Sequence, residues 1–539
     1  MFPASLCRRK RFCALKVVLA FARSDQNENM YLPMNCCQER GQPCARKPLL
    51  WNSQAKLSAV QSPSPSWSRC VTPKLCKPLK LLAGLNRWLI RGLLLTYLLC
   101  AGSAHGAKHP FSTVGIYIGP PKTNDTVTYP FLKACGYNYL EFCDTGFAKR
   151  PDQLPAYYAE MNAAIERAQR EGFKVWILLL ACMRQWNGPA TNGSAGTFSA
   201  LNQEVLRERL RFIEQAVKGL PAADGFEFFA GDPGGDPEGR STVQDCMAFA
   251  RSVRAIAQRT APRAGFAVNL WAVAEWAGFP SPFTLEFWRK QVQLSRAVAE
   301  DEAMLGRDCG VVFSMDNYYR SLALACYADA AATLELFPSA AAVAALRRKS
   351  VTHVLGWPYF LVDEVDDGYI KPNNVASRGQ AQAETRYIRA LIDKSRDIGL
   401  DGLVANSAYT TSEALNIYAF GRMCRAPKLK PEAALDEWAG IIADDSTKAE
   451  LGCVLRFIEN HSNWENSLPP AYRLPALPCQ PIASATNAIE RLGYVVPRIK
   501  PPIPLLEPPA SYMGRLRRRL DMIAAGNIGG VNPIVRSSR

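Results

Sequence analysis

The sequence predicts a (β/α)8 barrel followed by a helical and proline-rich extension. Between residues 113 and 407, short apolar runs alternate with longer segments of amphipathic pattern. Eight such repeats are the number and order that a closed parallel barrel requires, and continuous apolar runs suit strands buried on both faces. The runs are VGIYIG from Val114, YNYLEFCD from Tyr137, KVWILLLAC from Lys174, GFEFFAGD from Gly225, GFAVNLWAV from Gly265, CGVVFSMD from Cys309, THVLGWPYFLVD from Thr352 and DGLVANS from Asp401.

The segments between the runs carry apolar residues at helical spacing. Beyond the barrel, Pro431–Asn460 predicts two further helices, with Leu435, Trp438 and Ile442 spaced for one packed face. From Leu468 the chain is rich in proline, which indicates an extended segment, and GRLRRRLDMIAA predicts one short basic helix. The clearest predicted helices of the barrel are Pro155–Glu171, Leu201–Leu220, Val243–Thr260, Ala331–Lys349 and Gln380–Ile398.

The stretch GFEFFAGDPGGDPEGR, Gly225–Arg240, is the most informative part of the chain. An apolar run ends there in an acidic loop broken by glycine and proline. Asp232 follows the predicted fourth strand, where α/β barrels place their chemistry, so we predict that it is the centre of an active site. The loop also fits a plain connection in which Asp236 or Ser241 caps the next helix.

Residues directly after barrel strands face one common mouth, so we consider them together. Carboxylates and aromatic residues alternate around this rim, which is typical of a sugar site. Aromatic faces stack on the C–H surfaces of sugars, and carboxylates act as acid and base. The rim residues are Asp144, Arg184, Trp186, Asp232, Trp271, Glu275, Asp316, Asn317, Trp357, Tyr359, Asp363, Glu364 and Asn406.

The first 106 residues predict a leader that is absent from the mature protein. A basic segment is followed by the apolar Gly92–Leu99 and by small residues up to Ala104 and Gly106, which is the pattern of a secretory signal over about 81–106. The apolar core is too short for a comfortable membrane span. We therefore expect a translational start near Leu81 and an exported protein, periplasmic or extracellular, without a stable membrane span in its mature form.

Charge and composition argue against several classes of function. The net charge is +16, but residues 1–106 hold sixteen basic and three acidic residues, so binding to nucleic acid is not predicted. The remainder has three histidines and no GxSxG, HExxH, Walker or GxGxxG motif, so neither a catalytic triad, a metal site nor a nucleotide cofactor is predicted. Its scattered cysteines predict mostly buried free thiols.

Two blocks of the chain resemble the bacterial α-glucuronidases of xylan breakdown. The first is FFAGDPGGDPEG with the helix Val243–Ala257 and GFAVNLWAVAEW behind it. The second, within Gly399–Trp438, is GLDGLVANSAY followed by NIYAFGRMCRAPKLKPEAALDEW. The resemblance implies an inverting glycoside hydrolase with a TIM barrel, in which one carboxyl protonates the glycosidic oxygen and another activates water. Such carboxyl pairs stand about 6.5–9.5 Å apart.

The resemblance also implies roles for the rim carboxylates. Asp232 takes the place of the general acid after strand four, and Asp316 matches a carboxylate after strand six. Asp363 or Glu364 matches the one after strand seven, in a base or water-positioning role. The residues predicted to bind substrate are Asp144, Arg184, Trp186, Trp271, Glu275, Trp357, Tyr359 and Asn406.

The sequence thus predicts an exported glycoside hydrolase that acts on polysaccharide-derived oligosaccharides without metal or cofactor. Its barrel is expected over residues 110–428, the helical extension over 429–467 and the proline-rich tail over 468–539. The family acid is usually glutamate where this chain has Asp232, and the family's N-terminal β-sheet domain has no counterpart here. There are two alternative hypotheses. One is a catalytically silent barrel that binds a glycan or a partner protein, and the other is a signal-anchored envelope scaffold.

Overall fold

Eight parallel strands form a closed barrel in sequence order, each hydrogen-bonded to the next, with the eighth closing on the first. The computed structural model describes residues 110–180, 202–229, 242–270, 296–297, 300, 309–314, 338–349, 351–358, 380–407, 411–462, 473–479 and 482–526. The predicted (β/α)8 barrel is confirmed. Its strands are β1 Thr113–Tyr117, β2 Tyr139–Asp144, β3 Lys174–Leu180, β4 Gly225–Phe229, β5 Gly265–Asn269, β6 Cys309–Ser314, β7 Val354–Trp357 and β8 Gly402–Asn406.

Helices follow the strands and continue beyond the barrel. Within the described ranges they are α1 Thr128–Cys135, α2 Leu154–Arg170, α3 Gln203–Gly219, α4 Val243–Thr260, α5 Ala340–Arg348, α6 Thr385–Asp397, α7 Ala414–Arg425, α8 Pro431–Ile442, α9 Lys448–Glu459, α10 Ala485–Leu492 and α11 Pro509–Ala524. Two short 3-10 turns, Gly146–Ala148 and Pro151–Gln153, join β2 to α2.

Capping residues explain where several of these helices begin. The side chain of Asn202 accepts a hydrogen bond from the backbone N–H of Val205, so α3 starts two residues after its predicted start. Thr242 and Asp245 form a reciprocal capping box at the start of α4. This cap is neither Asp236 nor Ser241, the two residues that the sequence suggested for it.

Helix α6 starts at Thr385 rather than at the predicted Gln380. The four residues before it run without helical structure because their backbone N–H groups bond elsewhere. Ala381 N–H donates to the carbonyl of Arg515, and Gln382 N–H donates to that of Ser412. The first bond joins this segment to α11 in the C-terminal part of the chain, and the second joins it to the segment between β8 and α7.

The lower end of the barrel, at the N-terminal ends of the strands, is filled by a plug of three rings. Tyr139 lies 5.9 Å from Trp176, and Trp176 lies 5.0 Å edge-on from His353, measured between ring centroids. Glycines opposite the indole make room for it: a Cβ atom added at Gly225 would lie 2.5 Å from the Trp176 ring. This end is therefore packed closed.

The C-terminal extension is joined to the barrel by a buried ion pair. Glu459, at the end of α9, is completely buried, and it accepts hydrogen bonds from the backbone N–H groups of Thr385 and Arg386 at 3.0 and 2.7 Å. The Arg386 guanidinium donates to Glu459 at 3.2 Å and to the carbonyls of Leu474 and Pro475. We call Thr385, Arg386 and Glu459 the clamp.

The proline-rich region contains one helix that the sequence did not predict. Ser484 caps α10, which is the segment ATNAIERL between two proline-containing stretches. The predicted C-terminal basic helix and the two helices within 431–460 are confirmed by α11, α8 and α9. Five of the seven described cysteines are buried, and all seven are free thiols.

Candidate active site

The last residues of five strands form the top of the barrel interior, next to the mouth. Every second side chain of a strand faces the barrel interior. Residues paired in register on neighbouring strands face the same side, so the pairing identifies the inward residues of each strand. We call these five residues the upper layer: Tyr117, Phe229, Asn269, Trp357 and Asn406. Leu180, the last residue of β3, also faces inward, beside Phe229. Polar and aromatic side chains thus predominate where a barrel core is usually filled by valine, isoleucine and leucine.

Two glutamates lie directly beneath the upper layer. Glu141 on β2 and Glu227 on β4 are completely buried. The indole N–H of Trp357 donates to Glu141 Oε2 at 3.0 Å, and the Asn269 amide donates to Glu227 Oε1 at 2.6 Å. The other oxygen of each carboxyl, Glu141 Oε1 and Glu227 Oε2, is buried and has no hydrogen-bond partner among the described residues. We call Glu141 and Glu227 the carboxyl pair.

Burial is the main influence on the acidity of the carboxyl pair. It raises the pKa of Glu141 well above its ordinary value, and the charge of Glu227 raises it further. Burial also raises the pKa of Glu227 to about 7, although the hydrogen bond from Asn269 opposes this shift. The pair therefore retains at least one proton at neutral pH.

Aromatic rings cover the carboxyl pair on the side of the mouth. The ring of Trp357 contacts Tyr117 and Phe229 edge-on, with centroid distances of 6.0 and 5.5 Å. Asn406 pairs in register with Tyr117 on the neighbouring strand. Trp357 and Phe229 are completely buried and Tyr117 almost so, and the carboxyl pair is thus covered toward the mouth by packed aromatic side chains.

Three of the predicted substrate-binding residues are described by the structure. Trp357 and Asn406 lie together in the upper layer, and both are buried. Asp144 lies on the opposite face of β2 from Glu141, toward helix α2, where its carboxylate accepts hydrogen bonds from Gly146 N–H at 2.9 Å and from the Tyr157 hydroxyl at 3.0 Å. The structure therefore brings Trp357 and Asn406 together and places Asp144 apart from them.

The other predicted site residues lie outside the described part of the chain, so their roles stay predictions. Asp232 follows the end of β4 by three residues, and Asp316 follows the end of β6 by two. The remaining residues of this group are Arg184, Trp186, Trp271, Glu275, Tyr359, Asp363 and Glu364.

The sequence reasoning missed Glu141, Glu227 and Asn269. It considered only residues after the strands, whereas these three lie inside them. Each glutamate is a charged residue within an apolar run, in YLEFCD and in GFEFF. Such a residue in a strand buried on both faces needs partners inside the protein, and this is the signal that identifies it.

Within the ranges that the structure describes, no cluster of three or more histidine, cysteine or acidic side chains could hold a metal ion. In the same residues, every helix is too short or too polar to cross a membrane.

A scan against protein-family models finds no match, and a search of curated proteins finds no similar sequence. Solved structures with a similar barrel include a glucosidase from Croceicoccus marinus, with 12% identity and a TM-score of 0.32 over 65% of this chain and 69% of that one. A β-mannanase from the blue mussel Mytilus edulis has 10% identity and a TM-score of 0.33, over 60% and 93%. A D-psicose 3-epimerase has 9% identity and a TM-score of 0.31, over 58% and 97%. This similarity concerns the fold alone and carries no conclusion about the reaction.

Proposed function

We propose that this protein is a glycoside hydrolase that cleaves polysaccharide-derived oligosaccharides by carboxylate acid and base catalysis. One observation carries the proposal: the barrel interior beneath the mouth consists of aromatic and amide side chains above a buried carboxyl pair. Buried titratable groups of this kind concentrate at functional sites rather than in barrel cores. The opposite end of the same barrel is closed by the ring plug, so the mouth is the end that suits a ligand.

The acid and base that act on the substrate belong, in this proposal, to the loops after the strands. Asp232 donates a proton to the glycosidic oxygen, and Asp316 with Asp363 or Glu364 activates or positions the water. The resemblance of the sequence to α-glucuronidases supports a glucuronic-acid-bearing substrate and inversion of configuration. Inversion requires the acid and the base to stand about 6.5–9.5 Å apart.

Export is part of the same proposal, because oligosaccharides from polysaccharides are met outside the cytoplasm. The signal pattern that ends near Ala104 and Gly106 supports it. Sequencing the N terminus of the protein purified from cells tests this point. A terminus near residue 105 is expected, and a terminus at Met1 would contradict export by this signal.

A non-catalytic glycan-binding barrel is the second candidate, and one observation favours it. Glu141 and Glu227 are both completely buried, so neither carboxyl reaches a ligand at the mouth directly. Hydrolysis therefore depends on the loop carboxylates, above all on Asp232.

The test is hydrolysis by the full chain of a panel of aryl glycosides and glucuronic-acid-bearing oligosaccharides. Asp232→Asn removes the proposed acid, and Asp236→Asn is the matched control because it makes the same change in the same loop. We expect release of a uronic acid, a loss of about 10²–10⁴-fold in Asp232→Asn, and near-normal rates in Asp236→Asn. Equal losses in both variants would contradict the role of Asp232. Glycan binding without turnover in the folded wild type would favour the second candidate.

A further inference from the structure

We infer that Glu141 and Glu227 share one proton between Glu141 Oε1 and Glu227 Oε2, and that this shared proton holds the ring of Trp357 in place beneath the mouth. The inference assigns positioning residues to the proposed site. Only the role of these residues in a carbohydrate site rests on the proposed function. The presence of the shared proton is tested by measurements that need no enzymatic turnover.

The hydrogen-bond pattern leaves one position for this proton. Glu141 Oε2 is occupied by the indole N–H of Trp357, and Glu227 Oε1 by the amide of Asn269. Within the described residues, Glu141 Oε1 and Glu227 Oε2 receive no N–H or O–H from any other group. These two oxygens are buried and unpartnered, and the charge of Glu227 is near enough to raise the pKa of Glu141. Two carboxylate oxygens both accept and neither donates, so one proton held between the carboxyls is what gives both oxygens a partner.

Among the described residues of the strands, no positive charge beside the pair replaces that proton. The described interior-facing residues of the eight strands include one cation, Lys174, which is exposed at the start of β3 at the lower end. His353, the plug residue that precedes β7, is buried, which lowers its pKa to about 4, so it is neutral at pH 7. The other titratable groups among the described interior-facing strand residues are Tyr139 and Cys143 on β2 and Tyr117 on β1, all uncharged when protonated.

Trp357 links the shared proton to the mouth. Its N–H bond runs from β7 across the interior to β2, while its ring contacts Tyr117 and Phe229. Loss of the shared proton places two negative charges side by side in a buried space, and their repulsion moves the acceptor of the Trp357 bond. The pair therefore acts through Trp357 rather than on the substrate itself.

Glutamine substitutions distinguish a shared proton from two independent carboxyls. In Glu141→Gln the amide oxygen accepts from Trp357 and the NH₂ group donates to Glu227, which reproduces the protonated pair. Glu227→Gln does the same from the other side. In the double variant both NH₂ groups face each other, and one must turn away and lose its bond to Trp357 or Asn269.

The first measurement is urea unfolding of the full chain with each single variant and the double variant. We expect small falls in the urea midpoint for the single variants, and a fall in the double variant that exceeds their sum. The remote combination Glu141→Gln with Asp521→Asn should be additive. An additive Glu141→Gln/Glu227→Gln double variant would overturn the inference.

The second measurement is infrared spectroscopy of the carboxyl C=O stretch at pH 8. We expect one band of a buried protonated carboxyl in the wild type that is absent from both single variants. A wild type without such a band would overturn the inference even if a variant failed to fold. A third outcome is that the wild type shows the carboxyl band and the double variant a non-additive loss of stability, while the protein hydrolyses no glycoside. That result would reject the proposed function and would still support the shared proton.

Discussion

Two buried glutamate sites in this protein differ in how their charge is balanced. Glu459 in the clamp accepts bonds from two backbone N–H groups, from the Thr385 hydroxyl at 2.5 Å and from the guanidinium of Arg386. The carboxyl pair has two neutral donors, Trp357 and Asn269. The one cation among the described interior-facing strand residues, Lys174, lies at the lower end of the barrel. Both sites are completely buried.

The difference indicates which buried carboxylate is structural and which belongs to a site. Burial raises the pKa of Glu459, while Thr385 and Arg386 lower it. A carboxylate with a guanidinium and several donors is satisfied by its surroundings, and it joins two parts of the chain. The carboxyl pair is balanced by a proton instead, which makes it sensitive to pH and places a titrating group below the mouth.

Removing the cation from the clamp should give the largest effect on stability. Arg386→Met leaves Glu459 buried without its guanidinium and frees the carbonyls of Leu474 and Pro475. We expect a loss of about 3–5 kcal/mol in the free energy of unfolding, measured by urea denaturation. We also expect faster proteolysis of the chain beyond α9.

The matched control is Arg517→Met, because Arg517 pairs with Asp521 on α11 with both side chains about half exposed. Its cost should be below about 0.5 kcal/mol. A similar cost for both substitutions would show that burial of the clamp does not matter.

Adding a carboxyl to the carboxyl pair should give the next largest effect. Asn269→Asp replaces the donor to Glu227 with a third acid, and we expect a loss of about 2–4 kcal/mol at pH 8. The loss should shrink at pH 5, where the carboxyls are protonated. The control Asn269→Leu removes the donor without adding a charge. If its loss of stability depended on pH as strongly as that of Asn269→Asp, this account would be contradicted.

Removing the indole donor should give a smaller effect. Trp357→Phe keeps an aromatic ring against Tyr117 and Phe229 but leaves Glu141 Oε2 without its N–H partner. We expect a loss of about 1–2 kcal/mol and a further rise in the pKa of Glu141. Trp438→Phe on α8 is a control for indole size at a buried position of the extension. If the pKa of the pair were unchanged in Trp357→Phe, the bond to Glu141 would have no electrostatic role.

The strand positions were predictable from sequence because each strand is buried on both faces. VGIYIG, GFEFF and DGLVANS are continuous apolar runs, and their starts match the observed strands closely. The predicted helix starts were less accurate where backbone N–H groups donate to other parts of the chain, as at Gln382. Helix α10 was missed because the prolines around it outweighed its eight-residue pattern.

The candidate site was less predictable than the fold. The rim was read from the residues after each strand, whereas the carboxyl pair is two or more residues inside the strands. Side-chain parity would have separated Glu141 from Asp144, since residues three apart on a strand face opposite sides. The contact between Glu141 and Glu227 depends on barrel closure, which places residues 86 positions apart side by side and is not encoded in either strand alone.

The most direct test is the free energy of unfolding from pH 4.5 to 8 for the wild type and Glu227→Gln. The pKa of Glu227 rises from an ordinary 4.5 to about 7 on folding, so its stabilising contribution is full below pH 4.5 and is lost as the pH rises through 7. His353 has the opposite slope because its pKa falls from 6.5 to about 4, but it is the same in both proteins and cancels in their difference. We predict that the wild type loses about 1–3 kcal/mol relative to Glu227→Gln across this range. Parallel curves for the two proteins would contradict a proton-balanced carboxyl pair beneath the mouth.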